Sequence, residues 1–311
     1  MAVSDLYKHY SKLKRSLTPL FFADYSADNI YQCHLVAAFS KSFEFNLLVN
    51  KDTDLKNAFF YTPSLRGICE DLITLQFIKK HKTLDKDKLL QAHMLLQMIE
   101  TVETQKTFFS KNHPQQIVFT FPETEKAKAE QLGLLKKEWA KIGLNKDKLF
   151  PSTSHMATDA GLFELYDYLY SATSDMVHFS PHNLLRSGWS KKETPLRHHF
   201  SPLNFYKYYS LFNRFYGSYL FIKFCTLFKK ELQLSKTILA IIKELENDLF
   251  LNSRWPELVT FEEMNVAGAN EIRFVNLMRK LELTLKNKDG SLEDLKKIVG
   301  EIMEKGKKAK K

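Results

Sequence analysis

Apolar residues return every three or four positions along most of this chain, the spacing that lets a helix bury one face. In residues 26–50, Ile30, Leu35, Phe39 and Phe43 fall on one such stripe. Only 10 Gly and 9 Pro residues punctuate the whole sequence, so long helices can run without interruption. The pattern predicts an all-α protein built as a multi-helix bundle.

The same periodicity places further helices along the chain. They are predicted over residues 64–82, 85–111, 123–141, 158–179 and 202–231, with shorter helices following to about residue 250. Ser26 or Asp28 is suited to cap the start of the 26–50 helix, because both side chains accept hydrogen bonds from free backbone N–H groups.

Two stretches depart from the regular pattern. Residues 112–157 contain three prolines and one charged helix, so they are predicted to be an inserted or peripheral segment. Pro256 interrupts an extended-looking stretch that precedes two amphipathic helices and a lysine-rich tail. We therefore predict a helical bundle core over residues 1–250 and a small helical C-terminal extension over residues 251–311.

The charge of the chain is basic but unevenly distributed. The net charge of +10 in 311 residues favours a partner that carries phosphates, as nucleic acids do. Five lysines fall within the last seven residues, so the terminal tail accounts for half of that excess. The overall charge alone therefore does not identify a nucleic-acid binding protein.

Cysteine usage and hydropathy bear on where the protein works. Cys33, Cys69 and Cys225 are far apart and form no Cys-x-x-Cys pair, which is typical of thiols in a reducing compartment. The most apolar later segment, residues 215–228, is too short to cross a bilayer and includes Lys223. The sequence predicts a soluble cytoplasmic protein without membrane contact.

A polar stretch, YSATSDMVHFSP, begins at Tyr170. Tyr170, Ser174 and His178 follow one another at intervals of four, so on a helix they share one face and their polar groups can meet. Pro181 forces the preceding residue out of helical geometry, so the helix is expected to end near Phe179. His178 would then lie in the last turn, where an imidazole can exchange protons near neutral pH.

Sequence motifs of other chemistries are missing from the chain. It contains no His-Glu-x-x-His pair, no phosphate-cradling Gly-rich loop and no Gly-x-Ser-x-Gly turn. His178 and His182 have the spacing of two metal ligands on one helix, but Pro181 between them breaks that geometry. We therefore expect neither a bound metal nor a cofactor.

The segment that follows, residues 182–199, is locally basic, with Glu193 as its single acid. Its candidate ligand-binding residues are His182, Arg186, Lys191, Lys192, Arg197 and His198. One interpretation is a solvated loop. The other is a contact to RNA or another phosphate-bearing ligand, because Arg and His donors match phosphate oxygens.

Arg66 and Glu70 form a second polar group, one turn apart in an otherwise apolar helix. They could be an ion pair on a wet face. Arg and Glu side chains are rarely buried without a hydrogen-bond or ion-pair partner. The apolar flanks therefore also predict a partner for them elsewhere in the fold. We expect Glu70 to bond to His178 or Tyr170. Whether such a network serves structure or chemistry stays open.

These residues resemble a known family. An Arg and a Glu four apart, followed about a hundred residues later by YSATSDMVH, resemble an uncharacterised helical family widespread in bacteria, the domain of unknown function numbered five-six-seven-seven. The resemblance covers about residues 30–230. It implies that Arg66, Glu70, Ser174 and His178 occupy the positions that matter in that family.

The arrangement also looks distantly like the HEPN superfamily of helical bundles. Many of those proteins are metal-independent ribonucleases of toxin and anti-phage systems, with an Arg four to six residues before a His, contributed twice across a dimer interface. In this chain no Arg precedes His178 at that distance, and Arg186 follows it by eight residues.

Two functions of different classes follow. The first is a metal-independent RNA-cleaving or RNA-binding effector of a bacterial defence or toxin system, with His178 as general acid or base and Arg66 or Arg186 stabilising the phosphorane. The alternative is a non-enzymatic helical module that binds a partner protein, a second copy of itself or nucleic acid, in which Arg66, Glu70, Ser174 and His178 are structural.

Overall fold

The structure is a computed structural model that describes part of the chain. The described residues are 6–24, 26–51, 55–118, 120, 124–144, 150–178, 180–181, 184, 187–190 and 198–258. Nearly all regular structure within them is helical, which confirms the predicted all-α fold.

The described helices are α1 Tyr7–Leu17, α2 Ile30–Lys51, α3 Ala58–Tyr61, α4 Pro63–Lys80, α5 Lys86–Asn112, α6 Thr124–Ala140, α7 Thr153–Ala160, α8 Phe163–Val177, α9 Tyr206–Phe228 and α10 Lys236–Asn247. Short 3-10 turns cover Thr18–Phe21, Ala27–Asn29 and Pro256–Leu258, and a π turn covers Asp248–Asn252. An antiparallel hairpin pairs β1 Gly188–Ser190 with β2 His198–Phe200.

The chain forms two compact units. One comprises residues 1–180 and 206–257, and the other comprises residues 181–205 and 258–311. The predicted division at residue 251 and the peripheral character of residues 112–157 stay predictions. None of the described helices combines the length and apolar composition that crossing a bilayer requires.

The core of the first unit is built on aromatic rings where α2 packs against α9. Phe39 and Phe221 stack with ring centroids 5.3 Å apart, and Tyr10 lies 5.5 Å from Phe221. All three side chains are fully buried. Each buried aromatic side chain removes a large apolar area from water, so this cluster fixes α1, α2 and α9 together.

A polar seam runs through the same contact and keeps the two backbones close. Asn46 on α2 is buried and donates from Nδ2 to the carbonyl oxygens of Ser42, at 2.8 Å, and Gly217, at 3.0 Å. A Cβ atom added at Gly217 would lie 2.7 Å from the Phe45 ring and 2.9 Å from Asn46 Oδ1. A glycine is therefore required where α9 crosses α2.

Helix starts follow the capping chemistry of the sequence. Ser26, one of the two predicted caps, is the N-cap of the turn that leads into α2 and forms a capping box with Asn29, whose Oδ1 accepts from the Ser26 N–H at 3.0 Å. At the start of α5, Asp85 accepts a hydrogen bond from the Lys88 N–H at 3.2 Å.

The single helix predicted over residues 158–179 is wrong in its extent. The chain forms α7 and α8 instead, separated at Gly161, which adopts φ +71° at the C-terminus of α7. This left-handed conformation suits glycine and ends a helix by satisfying its last carbonyl groups. The N–H of Gly161 donates to Thr158 O at 3.2 Å.

The start of the predicted C-terminal extension packs on the first unit. Trp255 lies against Phe215 of α9, with ring centroids 4.3 Å apart. Glu257 accepts hydrogen bonds from the hydroxyl groups of Tyr216, at 2.6 Å, and Tyr168. The predicted amphipathic helices beyond residue 259 and the lysine tail lie outside the described residues.

Two glycine substitutions in helices should have opposite effects on stability. Gly217→Ala should lower the free energy of unfolding by about 1–3 kcal/mol, because the new methyl group overpacks the seam. Gly133→Ala in α6 is the control. Among the described residues nothing lies within 4 Å of the added Cβ, so stability should rise by about 0.5–1 kcal/mol. Urea unfolding measures both, and stabilisation by Gly217→Ala would contradict the close contact.

Candidate functional site

A polar cluster lies where α4 packs beside α8 in the first unit. Arg66 and Glu70 come from α4, and Tyr170 and His178 come from the C-terminal half of α8 and its cap. These residues are about a hundred positions apart in sequence, and the packing of the two helices brings them together. The cluster contains four of the side chains that the sequence singled out.

Arg66 is the centre of the cluster. Its Nε donates to Glu70 Oε1 at 2.9 Å, and its Nη1 donates to His178 Nε2 at 3.4 Å. A guanidinium can only donate, so Nε2 of His178 is the acceptor and the neutral ring carries its proton on Nδ1. The acceptor lone pair of the imidazole therefore faces a fixed positive charge.

The ring of Tyr170 supports the guanidinium from one face. The Arg66 Cζ atom lies 4.3 Å from the ring centroid, which is a cation–π contact. Tyr166, one turn earlier on α8, lies 5.4 Å from Tyr170 between ring centroids. Tyr166 was not among the predicted site residues, although its spacing of four from Tyr170 extends the same helical face.

The cluster is open to solvent. The Arg66 and Glu70 side chains are 22% and 35% exposed, and His178 is exposed. The hydrogen bond that Arg66 donates to Glu70 raises the pKa of Arg66, so the guanidinium stays charged. Burial raises the pKa of Tyr166, which keeps that phenol neutral. A ligand from solution can therefore reach a permanent cation beside an imidazole.

Helix α8 ends slightly earlier than predicted. Its last residue is Val177, and His178 is the C-cap with an extended backbone, φ −105° and ψ 159°. The N–H of His178 still donates to Ser174 O at 3.0 Å. His178 thus leaves the helix instead of occupying its last turn, which frees the imidazole to point toward another helix.

The expected hydrogen-bond column along α8 is not formed. Among the described residues, no side-chain hydrogen bond joins Tyr170, Ser174 and His178. Glu70 also bonds to Arg66 and not directly to His178 or Tyr170. A guanidinium reaches farther than a carboxylate and has several donors, so Arg66 makes the connection that was expected of Glu70.

Most of the predicted basic segment lies outside the described residues. This applies to His182, Arg186, Lys191, Lys192 and Arg197. His198 lies in β2, opposite Ser190 of β1. The hairpin was not predicted, since each strand is only three residues long and the sequence suggested a loop. The two interpretations of this segment stay predictions.

The fold and the cluster define a class, an all-α bundle with a solvent-open Arg–His contact between two helices. The chain belongs to the Family of unknown function (DUF5677), whose model matches residues 31–194, more than half of the sequence. The match includes Arg66, Glu70, Ser174 and His178. No curated protein and no solved structure is significantly similar to the chain.

The contact between Arg66 and Tyr170 can be measured by a double-mutant cycle. For Arg66→Leu and Tyr170→Leu, urea unfolding should give a coupling energy of about 0.5–1 kcal/mol, the strength of a partly exposed cation–π pair. Tyr219→Leu is the control, because Tyr219 contacts Lys223 instead and its effect should add to that of Arg66→Leu. Additive losses for Arg66 and Tyr170 would rule out the stacked arrangement.

Proposed function

We propose that this protein is a metal-independent RNA-cleaving effector of a bacterial defence or toxin system, acting in the cytoplasm. One observation carries the proposal, the 3.4 Å contact between Arg66 Nη1 and His178 Nε2 at a position open to solvent. A proton acceptor beside a fixed cation is what the cleavage of a phosphodiester by the adjacent 2′-hydroxyl needs.

In the proposed reaction, the scissile phosphate lies at the Arg66 guanidinium and the ribose 2′-hydroxyl faces His178. When RNA binds, Arg66 Nη1 transfers its hydrogen bond from His178 Nε2 to a phosphate oxygen, and the freed Nε2 lone pair takes the hydroxyl proton while the 2′ oxygen forms a bond to phosphorus. The bond from phosphorus to the 5′ oxygen breaks, and that oxygen takes a proton from water. The products are a 2′,3′-cyclic phosphate and a 5′-hydroxyl end, and Arg66 stabilises the charge of the phosphorane.

The neighbouring residues would act by positioning. Glu70 holds the Nε edge of Arg66, and the Tyr170 ring holds one face of the guanidinium. The carbonyl of Ser174 holds the backbone of His178. The basic residues of 182–199 follow His178 in sequence and supply the kind of side chains that bind phosphates.

The contact also supports HEPN-like chemistry. In HEPN ribonucleases the Arg and His belong to one short motif, which this sequence lacks. Here Arg66 and His178 come from different helices and still lie within 3.4 Å. We propose that two helices supply the pair that one motif supplies in those enzymes, in a monomer or a homodimer.

A non-enzymatic binding module is the second candidate. It is favoured by the way Arg66 links α4 to α8 through Glu70, Tyr170 and His178, since such a bridge can be purely structural. In that case His178→Ala should lower the free energy of unfolding by about 0.5–1.5 kcal/mol, the net contribution of one hydrogen bond, through the loss of a partner for Arg66. RNA or a partner protein could then bind without reaction.

RNA cleavage by the full chain tests the proposal. With EDTA present, the protein should cleave single-stranded RNA to cyclic-phosphate ends. His178→Ala should reduce the rate by about 10² to 10⁴, the contribution of a general acid or base. Because His178 is exposed, its removal should change stability by less than about 0.5 kcal/mol.

His113→Ala is the matched control, because His113 is also an exposed C-cap histidine, at the end of α5. It should retain the full rate. No cleavage by the unmodified protein, or an unchanged rate for His178→Ala, would refute the enzymatic proposal. RNA binding without cleavage would favour the binding module.

A further inference from the structure

A cavity of about 510 Å³ opens next to the Arg66 cluster, within the first unit. Helices α2, α4 and α5 and the segment that leads into α7 form its walls. Its volume falls in the range of about 300–1,000 Å³ that is common for small-molecule sites. Glu70 lines this cavity and also binds Arg66, so the cavity and the cluster share a wall.

The polar groups of the cavity are mainly hydrogen-bond acceptors. Glu70 and Asp71 each have one oxygen bound to a cation, at 2.9 Å to Arg66 Nε and at 2.8 Å to Lys41 Nζ. Among the described residues, the second oxygen of each carboxylate has no hydrogen-bond partner. None of the described residues lining the cavity is Lys or Arg, so the cavity favours a ligand that donates.

His34 adds another acceptor. Its Nδ1 lies 2.9 Å from the carbonyl oxygen of Ile30. A carbonyl oxygen can only accept, so Nδ1 carries the proton and Nε2 of the neutral ring has the lone pair. Thr74, Gln97 and Thr153, which can donate or accept, also line the cavity.

Part of the wall is aromatic. The rings of His93 and Phe150 lie 4.5 Å apart between centroids, at an interplanar angle of 33°. Burial lowers the pKa of His93 and, against the effect of Lys41, raises the pKa of Asp71, so the cavity is partly shielded from water, where hydrogen bonds are stronger. A flat ring can lie against such a surface.

We infer that this cavity binds a heteroaromatic base with an exocyclic amine, as cytosine has, with the amine donating to the second oxygen of Asp71, since Glu70 holds Arg66. Carboxylates accept from the cytosine N4 amine in nucleic-acid recognition, whereas the uracil carbonyl at that position would face them unfavourably. The base in the cavity belongs to the nucleotide whose phosphate lies at Arg66. This connection between the cavity and Arg66 rests on the proposed function. Binding of a free nucleoside does not depend on that function.

Cytidine and uridine are the probes for the cavity, because the two bases differ only at position 4, an amine against a carbonyl, and at the adjacent N3, an acceptor in cytosine and an N–H in uracil. Titration of the full chain, followed by NMR, should show cytidine binding about tenfold more tightly than uridine. Asp71→Asn should reduce that preference to about one, since an amide can accept from cytosine or donate to uracil.

Asp159→Asn is the matched control. Asp159 is also a half-buried aspartate paired with a lysine, Lys80 at 2.6 Å, and it does not line the cavity. This variant should keep the tenfold preference. If Asp71→Asn does not fold, Thr74→Met replaces it, because the longer side chain fills the cavity and should abolish cytidine binding.

Equal binding of the two nucleosides by the unmodified protein, or a preference that survives both Asp71→Asn and Thr74→Met, would overturn the inference. A parallel assay compares the cleavage of oligocytidylate and oligouridylate. Cytidine preference without any RNA cleavage leaves the cavity assignment standing and removes the proposed function. RNA cleavage without any preference for cytidine leaves the proposed function standing and removes the cavity assignment.

Discussion

The contact of one guanidinium with two helices is the constraint on which the site depends. Arg66 projects from α4 and meets a carboxylate of its own helix, an aromatic ring of α8 and the imidazole that caps α8. A partly buried cation is tolerated only when its donors are satisfied, so these partners fix its position. The same partners hold His178 at a defined distance from a permanent positive charge.

The packing of the core explains why the distance between Arg66 and His178 is kept. Fully buried rings lock α2 against α9, and the seam at Asn46 and Gly217 sets how closely the two helices approach. Helix α4 packs on both α2 and α9 and on α8, so it carries Arg66 on a rigid support. Groups on packed helices are held more accurately than groups on loops, which is what acid–base chemistry or base recognition requires.

Local patterns in the sequence were enough to predict most of the helices, the cap at Ser26 and the end of α8 before Pro181, because each depends on residues within a turn or two. The split at Gly161 had a signal, a glycine after a helical run, that the periodicity outweighed. The approach of Arg66 to His178 spans 112 residues and depends on how helices pack, which spacing does not encode. The cavity beside Glu70 is a tertiary feature for the same reason.

The central claim is that Arg66 and His178 act as one unit, and a kinetic double-mutant cycle on RNA cleavage tests it most directly. Residues that work on the same reacting group give losses that do not add. If the account is right, Arg66→Leu combined with His178→Ala cleaves no more slowly than the slower of the two single variants. If the two losses multiply, the residues act independently and the contact between them does not define the site.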